Sequence, residues 1–302
     1  MNDLVIGRFA PSPSGRMHFG NIYTAVMSWL SVKARGGRWI LRIEDLDPQR
    51  SKMEYARQIE DDLLWLGLEW DEGGIEGKGP HGPYLQSQRH DFYYSALEKL
   101  KATGLCYCCT CTRADILATQ APHESDGRVV YKGTCRPAIM PSPFHEKENA
   151  SVRIMVPDEE ISFTDMIQGH QCVNLAHHCG DFILRRSDGA WAYQLAVVVD
   201  DALMGVTEIM RGKDLLLSAA QQIYLYRLLG YKAPAFAHLP LITNEMGVRL
   251  SKRDKSLSME FLRQKHRPEE ILGMIAHRAG IIPIHEQISL FELLTSFKNN
   301  AD

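Results

Sequence analysis

APSPSGRMHFGN, Ala10 to Asn21, crowds two prolines, two serines and two glycines between the apolar run VIGRFA and a stretch with helical spacing. Pro11 and Pro13 hold the backbone extended, while Gly15 and Gly20 let it turn and approach a ligand closely. Leu4 to Ala10 reads as a short strand. After Gly20, residues Ile22, Ala25, Trp29 and Lys33 recur at helical spacing until Gly36-Gly37 stops the pattern. A loop between a strand and a helix lies where open α/β sheets bind ligands, and helix N-termini offer N–H groups to phosphate. His18 and Asn21 add side-chain donors suited to phosphate oxygens. Taken alone, such a glycine pattern equally describes an ordinary connection.

Working outward, WILRIED at residues 39–45 reads as a second strand, and Ser51 with Glu54 forms a capping-box signature. Met53, Ala56, Ile59, Leu63 and Leu66 then space a second amphipathic helix. Strand, helix, strand, helix is the rhythm of a parallel α/β sheet. It breaks at the Gly- and Pro-rich loop Gly73 to Pro83 and resumes with a helical stretch from Phe92 to Leu100. Further on, VRIMV, ISFTD and DFILRR are strand candidates. Leu216, Ala219, Ile223 and Tyr226 line one helical face that Gly230 closes. The chain finishes in helices, one beginning near Pro268 and one running from Leu290 to Phe297.

At 302 residues the chain is long enough to bury a full core and to divide into two or three compact units. No run of about 18 apolar residues is present, and MNDLVIGRFA lacks the basic and long apolar regions of a secretory leader. A cytoplasmic protein without a membrane partner is expected. The net charge of -3 means that a polyanionic partner must meet a local basic patch.

Cysteines crowd CYCCTCTRAD, and one more follows in VVYKGTCRP. In a cytoplasmic chain this suggests metal before disulfide, since clustered thiolates can share one tetrahedral zinc. Spacing leaves the ligands open, because Cys106, Cys108, Cys109 and Cys111 offer several pairings with Cys135. A set of reduced thiols without metal is the alternative.

Arg249-Leu250-Ser251-Lys252-Arg253 lies more than 200 residues after the opening loop. Basic residues with one serine usually make a solvated face. Paired with APSPSGRMHFGN, however, RLSKR resembles the second of the two signatures of class I aminoacyl-tRNA synthetases. RFAPSPSGRMHFGN, IEDLDPQRS, VVDDALMG and IMRGKDLL narrow the resemblance to the glutamyl branch, over Leu4 to Ser256. Within that branch the chain looks most like the truncated paralogues that act on queuosine-containing tRNA(Asp).

The resemblance implies a Rossmann-like α/β catalytic domain in two halves, residues 1–103 and 144–248. Between them it implies a small zinc-binding insertion at 104–143, and after them a short helical C-terminal region at 249–302. It places His18, Gly20, Asn21 and Lys252 on ATP, and Arg8, Phe9, Ala10, Pro11, Ser12, Glu44, Tyr193 and Arg211 around glutamate. These residue types suit the ligand, since two forked guanidiniums match two carboxylates and one glutamate receives the ammonium. Asn21 and Arg253 depart from the family's signatures, where His and Ser stand, and leave the detailed ATP contacts open. The resemblance resolves the metal set to Cys109, Cys111, Tyr131 and Cys135, with His123 as the next ligand to test.

The implied reaction is ATP-dependent activation of L-glutamate, with Mg2+ accompanying the nucleotide, and glutamyl transfer to queuosine at the wobble position of tRNA(Asp). One structural Zn2+ and a monomeric chain are expected with it. Only residues 254–302 follow RLSKR, which reads as too short for a separate anticodon-binding domain. A short glutamyl-tRNA synthetase charging a 3′ end, or a noncatalytic tRNA-binding module, are the competing readings.

Overall fold

The computed structural model describes residues 4–118, 130–242 and 258–300. In chain order it contains β1 (Ile6–Phe9), α1 (Phe19–Ala34), β2 (Arg38–Leu41), α2 (Met53–Trp65), β3 (Glu72–Gly73), α3 (His90–Ala102), β4 (Cys106–Cys109) and α4 (Arg113–Ala118). There follow β5 (Ser151–Ile154), β6 (Glu160–Asp165), β7 (Gly169–Asn174), α5 (Leu175–His178), β8 (Phe182–Arg185), α6 (Tyr193–Leu203) and β9 (Glu208–Gly212). The series ends with α7 (Leu216–Leu229), β10 (Ala235–Leu239), α8 (Met259–Lys265), α9 (Pro268–Arg278) and α10 (Leu290–Asn299). Two compact units result, one of Met1–Gln88, Gly205–Asp214 and Pro234–Asp302, the other of Arg89–Met204 and Leu215–Ala233. Among the described residues no helix is long and apolar enough to cross a membrane.

In the first unit β3, β2, β1, β9 and β10 lie side by side in that order, and every pair is parallel. Strand order runs one way from β1 to β3 and the other way through β9 to β10, so the topological switch point falls between β1 and β9. Successive residues of a strand face opposite sides of the sheet, and the register sorts them. Gly7 pairs with Trp39 and with Glu208, so Phe9, Trp39, Leu41 and Met210 share one face. There they join Ile22, Ala25, Val26 and Leu30 of α1 in a core, with the Phe9 and Trp39 rings stacked at 6.1 Å. Burying the Phe, Leu, Ile, Val and Met side chains among them contributes about 1.5–3 kcal/mol each.

The predicted strand-helix alternation is present, but the Ser51–Glu54 capping box is not. The helix begins at Met53 with Lys52 as its N-cap, and no side chain caps it. Arg50 and Ser51 N–H groups both donate to the Asp47 carbonyl, so a turn consumes the residues that would have capped the helix. Lys52 N–H donates instead to the Pro13 carbonyl, at 3.0 Å, which ties α2 to the opening loop.

In the second unit β4, β5 and β8 form an antiparallel sheet, and β6 pairs with β7 as an antiparallel hairpin. The helix predicted to end at Gly230 does so, with that glycine at φ +71° closing α7. Asp200 of α6, fully buried, accepts from Arg89 Nε at 2.6 Å and Tyr93 Oη at 2.9 Å, fastening α3 to α6.

Candidate functional site

The second face of the parallel sheet carries charged side chains towards the carboxyl ends of its strands. Arg8 alternates with Phe9 on β1, and Arg211 pairs with His238 across β9 and β10. β2 continues past its end, since Arg42 N–H donates to the Phe9 carbonyl and Glu44 N–H to the Pro11 carbonyl, both at 3.0 Å. Period two therefore sets Arg8, Arg42, Glu44, Arg211 and His238 on one side, opposite the α1 core. All five are buried, between 0 and 9% exposed. Charges of both signs so gathered in a low-dielectric place can complement a ligand that itself bears carboxylates and an ammonium. It also lies at the carboxyl ends of the strands beside the switch point, where open α/β sheets bind ligands.

Within this set, Arg42 Nη2 meets Glu44 Oε1 at 3.2 Å. Arg211 Nε donates to His238 Nε2 at 3.0 Å, which requires a neutral imidazole with its proton on Nδ1. Arg42 and His238 were not among the residues expected from the sequence. The available signal was their place in strands, two residues before Glu44 and directly opposite Arg211.

The opening loop covers the end of β1. His18 is the N-cap of α1, its Nδ1 accepting from Gly20 N–H at 3.2 Å while Asn21 Oδ1 accepts from His18 N–H at 3.1 Å. An accepting Nδ1 places the ring proton on Nε2, the arrangement a phosphate donor needs. A Cβ on Gly20 would stand 3.1 Å from the His18 ring, so the glycine lets the imidazole fold over the helix start. Through that bond the Asn21 Oδ1 holds the turn. The Phe9 ring is part of the core, whereas Ala10 is half-buried, Pro11 buried and Ser12 exposed. Tyr193 belongs to the second unit, where it opens α6. Lys252 and His123 lie outside the described residues.

The second unit holds a separate cluster. Sγ atoms of Cys109, Cys111 and Cys135 lie within 4.8 Å of one another, so the three thiols can hold a metal ion. Cys111 and Cys135 are 3.5 Å apart, and Tyr131 Oη stands 3.3 Å from Cys109 Sγ and 3.9 Å from Cys111 Sγ. Tetrahedral thiolate sites with bonds of about 2.3 Å separate their sulfurs by about 3.8 Å, so the spacing fits. Alternation on β4 sorts the crowded cysteines into two sides. Cys106 and Cys108 face the side opposite Cys109, and burial pushes the Cys106 thiol up to about 12. Burial also opposes ionisation of Cys135, but donation from the Thr110 N–H, Cys111 and Tyr131 outweighs it and lowers this thiol to about 7. Burial first, then hydrogen bonding to Cys135, pushes Cys111 up to about 11.

Asp181, fully buried, carries the cluster's second limb. It accepts from Arg136 Nε at 2.7 Å, from Val156 N–H at 2.9 Å and from the Tyr107 hydroxyl. Arg153 lies 3.8 Å over the Tyr131 ring and donates to the Asp181 carbonyl. Tyr131 also bridges to Gly180, which sits at φ +64° and whose added Cβ would stand 2.0 Å from the Tyr131 carbonyl. Gly180→Ala is therefore expected to lower stability by about 2–4 kcal/mol and to displace Tyr131. Thermal melts with metal titration check this, and a variant with wild-type melting and metal uptake would contradict it.

The model of the family described as tRNA synthetases class I (E and Q), catalytic domain, matches residues 4–302. A glutamyl-Q tRNA(Asp) synthetase of Symbiobacterium thermophilum is 47% identical, over 97% of this chain and 92% of that protein. One from Nitratidesulfovibrio vulgaris is 45% identical over 93% of this chain and 88% of its own length. Among solved structures, the glutamate-tRNA synthetase of Elizabethkingia anophelis superimposes with a TM-score of 0.82 at 31% identity. That match covers 98% of this chain but only 66% of the longer protein.

Proposed function

Because the chain belongs to the class I (E and Q) tRNA synthetase catalytic-domain family, we propose that it activates glutamate with ATP and passes the glutamyl group to queuosine at the wobble position of tRNA(Asp). The buried set Arg8, Glu44 and Arg211 beside the switch point carries the amino-acid half of this reading. Two guanidiniums receive the two carboxylates of glutamate in forked hydrogen bonds, and Glu44, itself held by Arg42, receives the ammonium. Ser12 supplies a hydroxyl to the same substrate, with Ala10 and Pro11 shaping its backbone wall.

Activation joins a carboxylate oxygen of glutamate to the α-phosphorus of ATP as pyrophosphate leaves. The chain's task is to align these groups and offset negative charge. The Nε2–H of His18 serves the phosphate at the start of α1, Gly20 allows the approach and Lys252 supplies a cation from RLSKR. Mg2+ travels with the nucleotide as part of the substrate. Cys109, Cys111, Tyr131 and Cys135 would hold one Zn2+ that fastens their limb to the antiparallel sheet. Four protein ligands leave no open position, so this ion is structural. The acceptor assignment rests on the names of the relatives, and the cytoplasm is the compartment it requires.

The deciding experiment gives the protein labelled glutamate, ATP and either queuosine-containing or queuosine-free tRNA(Asp), followed by cleavage of the tRNA into fragments. Label is expected in the anticodon fragment of the queuosine-containing tRNA alone. Label in the acceptor fragment would replace this reading with 3′-end charging, and no labelling together with no glutamate-dependent ATP-pyrophosphate exchange would leave a binding module.

A further inference from the structure

Asp62 of α2 is a fully buried carboxylate bonded to two arginines that are far apart in the chain. Arg16, from the opening loop, approaches it with Nη2 at 3.0 Å from Oδ1 and Nε at 3.4 Å from Oδ2. Arg263, from α8, donates Nη1 to the same Oδ1 at 2.8 Å, and also meets Asp61. Both arginines are about a quarter exposed, at 25% and 24%, so only the acid is fully withdrawn from water. The Arg263 guanidinium further rests 5.1 Å from the Trp65 ring centre.

The same two segments also meet through their backbones. Met259 N–H donates to the Met17 carbonyl at 2.9 Å, and His18 forms an antiparallel bridge with Ser258. Ser258 in turn caps α8, its hydroxyl accepting from Phe261 N–H at 3.3 Å. Pro13, at the other side of the loop, is held by Lys52 at the start of α2. The turn that presents His18 is thus clamped on both flanks, and the charged member of that clamp is a single carboxylate shared with α8.

From this geometry, and resting on the activation reading above, we infer that Asp62 is a positioning residue for adenylate formation. It acts through Arg16 to set the height of the His18 turn and through Arg263 to lock that turn to the start of α8. A buried acid that bridges two cations is costly to keep for stability alone, because apolar residues of similar volume fill such a place at least as well. What the pair of bonds adds is a fixed relation between segments about 240 residues apart in the chain, and a displacement near 1 Å at a reacting group lowers rates by about 100-fold. Arg16 stands within the opening motif and its side chain has no part in the roles assigned to His18, Gly20 or Ser12.

The test is glutamate-dependent ATP-pyrophosphate exchange by the full chain and its Asp62→Asn variant, assayed well below the variant's melting temperature. The variant should lose kcat by about 10- to 100-fold while the glutamate KM stays within about threefold, since the glutamate set is untouched. Arg16→Gln carries the same test should Asp62→Asn fail to fold, and Arg16→Lys should recover part of the lost rate. Arg16→Gln and Arg263→Gln should combine to less than the product of their separate effects, because both act through one carboxylate. A folded Asp62→Asn variant with unchanged kcat overturns the inference, and so do fully multiplicative arginine effects. Absence of exchange in the unaltered protein removes the activation reading and the inference with it, whereas an active parent beside indifferent variants removes the inference alone.

Discussion

Arg211→Ala is expected to lower kcat/KM for glutamate in ATP-pyrophosphate exchange by about 30- to 3,000-fold, mainly through a higher glutamate KM. The figure follows from truncating one member of a buried charge pair, which costs about 2–5 kcal/mol, with about 1.4 kcal/mol per factor of ten. Arg211 is 4% exposed, lies 5.3 Å from the Phe236 ring centre and donates Nε to His238, so its guanidinium is held in one place. Alanine would leave a substrate carboxylate without its forked donor and remove the Nε donor from His238 at the same time. Lysine should rescue little, because an ammonium cannot span a carboxylate and an imidazole in one plane. Steady-state kinetics with glutamate and ATP varied separately supply the check. An unchanged glutamate KM would remove Arg211 from the amino-acid pocket.

The second large effect is expected at the thiol cluster. Cys135→Ser, or exhaustive chelation of the parent protein, should remove stoichiometric metal and lower the melting temperature on the order of 10 °C. The loss is less than complete unfolding, because Tyr107, Cys109 and Tyr131 are buried together and Asp181 keeps its three donors. The thiols also set a sign for pH. Cys111 stands near 11 and Cys135 near 7, so at pH 8 an incoming metal must displace the Cys111 proton. Uptake should therefore release acid, and affinity should weaken as pH falls through 7, where Cys135 becomes protonated as well. Elemental analysis, melting curves and proton release during titration check the three parts. A chain that purifies without metal and binds none at pH 8 would leave the cluster as reduced thiols.

Alternation made the parallel sheet legible in the sequence, because WILRIED and VIGRFA are flanked by helical spacing and glycine stops. The Ser51–Glu54 motif misled because local capping competes with a turn, and Asp47 wins that competition through two backbone bonds. Arg42 and His238 escaped notice for a different reason. Their significance depends on which strands are neighbours, and Arg211 meets His238 only once β9 is set beside β10. The cysteines show the reverse case. Chain spacing allowed several pairings, and one strand's two-sidedness separates Cys109 from Cys106 and Cys108.

The placement of Phe9 on one side of β1 and Arg8 on the other also bears on how the chain avoids assembling wrongly. Sliding β1 by one residue would turn Arg8 into the packing beneath α1 and expose Phe9 among the arginines. Burying an unpaired guanidinium there forfeits several kcal/mol, far more than a loop could absorb. Register is therefore strongly specified along β1. The same two-residue alternation that gathers these side chains also guards their placement, because the register that buries Phe9 under α1 is the one that sets Arg8 beside Arg42 and Glu44.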